Sequence, residues 1–104
     1  MITKEQCLVG TKVKVNHTKT RWNTEMGTKN NGLVCFPFKK LGVHIDEEME
    51  LSPDSVLVIQ SKPKKFNGNG NQVKFTIEGS DTIMSAWWIC FKHKVDIVDY
   101  ISVE

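Results

Sequence analysis

Several features that commonly reveal a function are scarce or absent in this sequence. Only one of the 14 basic residues is an arginine, Arg21, although planar two-pronged recognition of phosphate or guanine normally uses arginine. No run of about 18 apolar residues occurs, so we predict no transmembrane helix and no membrane partner. Residues 1–10 lack the apolar core of a secretory signal. These absences predict a cytoplasmic protein.

Cysteine is rare and its spacing is uninformative. The three cysteines are Cys7, Cys35 and Cys90, an odd number with no CxxC pair. Cys35 and Cys90 lie inside apolar runs, where a free thiol behaves as a small hydrophobic side chain. The three histidines are scattered and do not match the ligand spacing of a zinc site. We therefore predict a reducing compartment, no metal and no cofactor.

Motifs for catalysis are also missing. The sequence has no GxSxG, HExxH, Walker loop or GxGxxG. The tract at residues 67–70, Asn-Gly-Asn-Gly, is too short for a phosphate loop and precedes a strand, so we interpret it as a turn. Cys90 and His93 could be imagined as a thiol and its base, but we expect a buried thiol and a surface histidine. We predict that the protein is not an enzyme.

Length and composition predict one folded domain over residues 1–104. The chain is 39% hydrophobic and 25% charged, as in ordinary globular proteins, and its length allows one hydrophobic core. The net charge of +2 is too small to indicate a polyanionic partner by itself. The lysine- and asparagine-rich usage resembles that of proteins from AT-rich genomes, including many phages. This resemblance implies a small phage accessory protein.

Alternating and short apolar segments predict mainly strands. Residues 12–15 alternate lysine with valine, which predicts a half-buried strand. Thr3 and Gln6 have the spacing of a capping pattern, which indicates one helical turn. Pro37 indicates that the second strand ends early or lies at a sheet edge. The predicted strands cover residues 12–15, 33–36, 55–60, 72–78, 86–91 and 95–98, and the turns fall at residues 52–54, 67–71 and 79–85.

Five or six short strands with little helix predict an all-β fold, a small antiparallel barrel. The pattern resembles SH3-like barrels of the Tudor or KOW type. The resemblance rests on Gly10-Thr11-Lys12-Val13-Lys14-Val15, a long loop to residues 32–34, a hairpin near residues 67–71 and a closing segment at residues 88–98. A barrel of the oligonucleotide-binding (OB) type is the alternative.

Aromatic residues give the first candidate site. Trp87 and Trp88 are adjacent, so on a strand they point to opposite faces. Strand parity groups Trp87 with Ile89 and Phe91 as the core face, which predicts that Trp88 faces a partner unless Trp22 folds over it. The acidic run near residue 46 is interpreted as a solvated face or as a contact for a basic partner. The predicted protein-binding residues are Arg21, Trp22, Asp46, Glu47, Glu48 and Trp88.

Two functional hypotheses follow from these residues. The first is a non-enzymatic protein-binding module, a small phage protein that binds and modulates a host protein. The alternative is a Tudor- or KOW-like nucleic-acid-binding domain, in which lysines neutralise phosphate and aromatic rings, among them Trp22 and one of Trp87 or Trp88, stack on unpaired bases. The residues predicted to bind nucleic acid are Lys12, Lys14, Lys62, Lys64, Lys65 and Phe66.

Overall fold

The computed structural model describes residues 1–18, 32–39, 42–43, 49–65 and 70–99. Their elements are β1 (Lys12–Val15), β2 (Leu33–Lys39), β3 (Gly42–Val43), β4 (Met49–Leu51), β5 (Val56–Ile59), β6 (Lys64–Lys65), β7 (Asn71–Ile77), β8 (Ile83–Trp87), α1 (Trp88–Lys94) and β9 (Val95–Asp99). Within these ranges no helix is long and apolar enough to cross a membrane.

The strands form one curled antiparallel sheet. Its order is β3-β2-β8-β7-β5-β1-β9, with β4 also paired to β2 and β6 paired to β7. The predicted all-β class is therefore confirmed. β9 pairs with β1, so the closing segment returns to the first strand. The described strands number nine rather than five or six, because the short strands β3, β4 and β6 add to the predicted ones.

The alternating segments form strands for the predicted reason. Val13 and Val15 of β1 are fully buried, while Lys12 and Lys14, which alternate with them, point outward. β5 follows the turn that begins at Ser52, which the backbone N–H of Ser55 closes by donating to the Ser52 carbonyl at 3.3 Å. Asp54 occupies the third position of this turn with φ +73°, a conformation that Asp tolerates better than most residues.

The concave face of the sheet holds the hydrophobic core. Phe75 of β7 stacks on Phe91 of α1, with ring centroids 5.6 Å apart. Each fully buried side chain of this kind contributes about 1.5–3 kcal/mol. The strand residues that fill the core are Val13, Val15, Leu33, Cys35, Leu51, Leu57, Ile59, Val73, Phe75, Met84, Ala86 and Val95.

The prediction of a strand over residues 86–91 is wrong beyond Trp87. The chain turns into helix α1 at Trp88, and the buried and exposed positions follow helical spacing. Trp88 and Phe91 are buried three residues apart, while Ile89 is 64% exposed and His93 is also exposed. A short apolar run fits a buried strand and a helix equally well, which is why its sequence pattern misled the prediction.

The two adjacent tryptophans do point in opposite directions, but the predicted assignment is inverted. Met84 and Ala86 of β8 face the core, so strand alternation places Trp87 towards the outer face, where it is half-buried and still packs against the core cluster. Trp88 is only 7% exposed and packs beside Phe91, with centroids 6.5 Å apart. The prediction that Trp88 faces a partner is therefore wrong.

Strand β2 is longer than predicted. It continues through Pro37 to Lys39, and Pro37 lies opposite Met84 of β8. Its first residues, Leu33 to Phe36, are buried on both faces, as predicted. Gly32 before them is required sterically, because a Cβ atom there would lie 2.1 Å from the Leu51 carbonyl oxygen.

The predicted N-terminal turn is confirmed with its capping pattern. The backbone N–H of Thr3 donates to Gln6 Oε1 at 3.0 Å, and the N–H of Gln6 donates to Thr3 Oγ1 at 3.3 Å. This reciprocal pair matches a capping box. The predicted loop between the first two strands and the Asn-Gly turn at residues 67–69 lie outside the described residues.

Candidate functional site

Most residues of the predicted protein-binding site cannot be placed by the structure. Trp88 is buried in the core. The predicted residues that lie outside the described ranges are Arg21, Trp22, Asp46, Glu47, Glu48 and Phe66. The five predicted lysines are described, and the structure divides them into two groups.

The first group, Lys12 and Lys14 of β1, is engaged in ion pairs. Lys12 Nζ lies 3.2 Å from Glu78 Oε2, and Lys14 Nζ lies 3.4 Å from Asp54 Oδ1. His17 Nε2 also lies 3.5 Å from the other Asp54 oxygen. Each lysine of β1 therefore has a neighbouring carboxylate, which reduces the positive potential available to a phosphate.

The second group, Lys62, Lys64 and Lys65, is exposed at and beside β6. Lys64 pairs across the sheet with Gln72 of β7, and Gln72 pairs with Trp87 of β8. Directly opposed residues of antiparallel strands point to the same face. The cation, the amide and the indole therefore form one row on the outer face of the sheet.

A second row lies beside the first. Lys74 of β7 pairs with Ser85 of β8, and Ser85 pairs with Phe36 of β2. Neighbouring strands are about 4.8 Å apart, so each row of three residues spans roughly 10 Å, close to the size of a nucleobase with its sugar. We call these two rows the outer patch: Lys64, Gln72, Trp87, Lys74, Ser85 and Phe36.

Gln72 is the most unusual residue of the outer patch. It is fully buried, and its Oε1 accepts a hydrogen bond of 2.8 Å from the Ser85 hydroxyl. Its amide nitrogen, Nε2, has no hydrogen-bond partner among the described residues. A buried donor without a partner typically costs about 1–3 kcal/mol, so this group needs an explanation.

The aromatic residues of the outer patch are held by edge contacts. Trp87 is half-buried and meets Phe36 edge to face, with centroids 6.1 Å apart and planes at 71°. A Cβ atom at the exposed Gly70 would lie 3.4 Å from the Trp87 ring, so the absence of a side chain there leaves room beside the indole. Lys74 Nζ lies 4.4 Å from the centre of the Phe38 ring, a cation–π geometry.

The outer patch combines two kinds of recognition. The exposed lysines can neutralise phosphate and the half-buried indole offers part of a π face for stacking, while Gln72, Ser85 and Phe36 are fully buried. Sequence reasoning identified the lysines and named Trp87 as one of two candidate rings. It missed Gln72, whose only signal was the alternation of β7, and Ser85, which was predicted to end the turn at residues 79–85 but lies in β8. The pairing register that joins the two residues is not visible in the sequence.

A second candidate place is an open cavity of about 330 Å³ between β1 and β9. Its charged groups already pair with one another. Asp54 contacts Lys14 and His17, and Asp96 accepts a hydrogen bond of 3.2 Å from Asn16 Nδ2 and contacts the terminal amine of Met1. We therefore assign no ligand to this cavity.

The buried reactive groups of the described chain are poorly placed for chemistry. Burial raises the pKa of the Cys7 thiol to about 12, so it stays protonated and unreactive at neutral pH. Cys90 is buried and His93 is exposed, as predicted. Burial lowers the pKa of Lys94, an effect that the nearby Glu50 carboxylate partly offsets, and the Lys94 ammonium donates to the Thr18 carbonyl.

Among the described residues, no three His, Cys, Asp or Glu side chains are grouped so that they could hold a metal ion. No protein-family model, curated protein or solved structure matches this chain.

Proposed function

We propose that this protein is a binding module for single-stranded nucleic acid and that the outer patch is its binding surface. The observation that supports the proposal is the row formed by Lys64, Gln72 and Trp87. Stacking of a base on an aromatic ring contributes about 1–3 kcal/mol per base. Lysines beside such a ring neutralise the adjoining phosphates, with an affinity that depends on salt.

The choice of a single strand follows from the shape of the surface. A base can stack on Trp87 only when its own faces are open, which a duplex prevents except at its ends. The described patch lies on sheet strands, and a sheet face of this width fits a splayed strand rather than the interior of a major groove. Single-stranded DNA and RNA share this chemistry, so both belong in the test.

The test measures the affinity of labelled oligonucleotides by fluorescence anisotropy over a salt series. The unmodified protein should bind single-stranded DNA or RNA, and the affinity should fall steeply as salt rises. Trp87→Leu keeps an apolar side chain but removes the ring, so we expect a loss of about five- to 150-fold. Ile89→Ala is the matched control, because Ile89 is exposed on α1, outside the patch, and it should leave affinity unchanged.

Circular dichroism and thermal melting establish that both variants are folded. Absence of binding to every single strand at low salt would remove the proposal. Equal losses in the Trp87 and Ile89 variants would show that the patch is not the binding surface. The protein-binding hypothesis remains a prediction, and it would gain support if a partner from a lysate stayed bound after nuclease treatment.

A further inference from the structure

We propose that Lys94 of α1 and Glu50 of β4 act together as a charge clamp that couples two distant points of the chain. The first point is Thr18, just after β1, and the second is Gly32, just before β2. Each side chain holds one point by a hydrogen bond, and their opposite charges connect the two. When one point loosens, the other therefore loosens with it.

The Thr18 point is fastened to the last turn of α1. The Lys94 ammonium donates to the Thr18 carbonyl. The backbone N–H of Asn16 donates to the Lys94 carbonyl at 2.7 Å, and Asn16 Nδ2 donates to the His93 carbonyl at 3.0 Å. Asn16 Oδ1 also accepts a hydrogen bond of 2.9 Å from the Thr18 N–H. The chain after β1 is therefore held against α1, in part by the Lys94 side chain.

The Gly32 point is held by the Glu50 side chain. Glu50 Oε1 accepts a hydrogen bond of 2.7 Å from the Gly32 N–H. Glu50 lies opposite Val34 in the pairing of β4 with β2, so the strand register sets its position. A Cβ atom at Gly32 would lie 2.7 Å from Glu50 Cγ, which shows how closely the side chain packs on this backbone. The carboxylate is therefore fixed at the start of β2.

The burial of Lys94 makes the two points depend on each other. Its side chain is fully buried, and a buried ammonium group is stable only when hydrogen bonds and an opposite charge compensate it. The Thr18 carbonyl supplies a hydrogen bond but carries no net charge. Burial lowers the pKa of Lys94 and the Glu50 carboxylate raises it, so the carboxylate supplies compensating charge. α1 also packs against β2, the strand that begins at the Gly32 point.

The clamp fixes the two points between which residues 19–31 run. These residues include Arg21 and Trp22, which the sequence predicts to contact a protein partner. The inference is independent of the proposed nucleic-acid function, which rests on the row formed by Lys64, Gln72 and Trp87.

Amide hydrogen exchange measured by NMR tests the clamp, because it reports local opening at single residues. Lys94→Met removes the ammonium but keeps a long side chain, and it should speed exchange of the Gly32 amide by roughly two- to tenfold. Lys92→Met is the matched control, since Lys92 lies on the same helix with a half-buried side chain, and it should leave that rate unchanged. The Ile59 amide, which donates to the Thr11 carbonyl at 3.0 Å, is the reference for opening of the whole fold.

Glu50→Gln tests the coupling in the opposite direction. It keeps an oxygen that accepts from the Gly32 N–H but removes the charge, so it should speed exchange of the Asn16 amide relative to that of Ile59. Because the two side chains act through one interaction, the double variant of Lys94→Met and Glu50→Gln should speed each amide by less than the product of the single effects.

Each outcome decides for or against the clamp. A Gly32 rate, divided by the Ile59 rate, that changes no more in Lys94→Met than in Lys92→Met overturns it, and so do multiplicative effects in the double variant. If Lys94→Met fails to fold, Glu50→Gln alone decides, because an unchanged Asn16 rate would show that the two points are independent. Oligonucleotide binding does not enter these measurements, so failure of the clamp and failure of the proposed function are distinguishable.

Discussion

The outer face of the sheet has two regions that use lysine differently, one at β1 and one at β6, which pairs with the central strand β7. At the β1 end, Lys12 and Lys14 alternate with buried valines, and each lies within 3.4 Å of a carboxylate. At the β6 end, three lysines are exposed next to a buried amide and a half-buried indole. One end is a solvated charged surface, and the other has the groups of a recognition surface.

This difference shows that counting lysines overestimates a phosphate-binding surface. Lys12 and Lys14 stand out in the sequence because they alternate cleanly, and their acidic partners, Glu78 and Asp54, are far away along the chain. The sheet brings these partners together, because β1 and β7 both flank β5. A carboxylate within 3.4 Å lowers the positive potential that Lys12 and Lys14 offer to a phosphate.

The largest expected effect separates the two ends by charge removal. The slope of log affinity against log salt is negative, and each phosphate contact of a single strand contributes about 0.7 to its magnitude. Replacing Lys62, Lys64 and Lys65 with glutamine should therefore reduce that magnitude by up to about 2. Replacing Lys12 and Lys14 should change it by less than about 0.5. Equal changes in the two variants would contradict the distinction between the ends.

The next effect concerns the two buried polar side-chain groups that have no partner in the described chain. These are Thr11 Oγ1, just before β1, and Gln72 Nε2 in the outer patch. Thr11→Val removes an unpartnered hydroxyl, so it should stabilise the fold by about 1 kcal/mol and leave oligonucleotide binding unchanged. Gln72→Leu should stabilise it less, because Ser85 then loses its acceptor.

Urea denaturation measures both variants, with the midpoint compared at constant slope. A stabilised Thr11→Val protein that binds oligonucleotides normally would show that the Thr11 hydroxyl contributes to neither folding nor binding. A strong destabilisation in Thr11→Val would instead show that its hydroxyl has a structural partner.

Much of the fold follows from the sequence because it depends on local patterns. Alternation predicted β1 and β7, the turn residues predicted the start of β5, and Thr3 with Gln6 predicted the N-terminal cap. The helix α1 was missed because a run of six apolar residues satisfies either period. Missing this helix changed the candidate site. A helix that begins at Trp88 directs the Trp88 ring into the core and leaves Trp87 as the outer ring.

The candidate site was less predictable than the fold for a different reason. Gln72 and Ser85 are 13 residues apart in sequence and become neighbours only through the register of β7 with β8. A shift of one residue in that register would move Ser85 to the other face. Polar residues that act together across strands are therefore hidden until pairing is known, whereas the exposed lysines of β6 are visible as a cluster.

The smallest expected effect concerns the edge strand β9, beside the charged β1 end. Asp96 has a lowered pKa, mainly because the terminal amine of Met1 donates to it and also because Asn16 does. As the pH falls, Asp96 of the unfolded chain takes up a proton near pH 4, the ordinary range of aspartate. In the folded protein Asp96 takes up its proton only at a lower pH. The free energy of unfolding should therefore decrease as the pH falls below about 4.

The two charged partners are exposed by 65% and 60%, so solvent screening keeps the contribution of this pair below about 1 kcal/mol. Asp96→Asn should remove this part of the acid dependence and change oligonucleotide affinity little, because Asp96 is on β9, which β1 and β5 separate from β7 and its partner β6. Urea denaturation at several acidic pH values measures the first effect, and anisotropy measures the second. A large loss of affinity in Asp96→Asn would mean that the binding surface extends to the β1 end, and the contrast between the two ends would then be wrong.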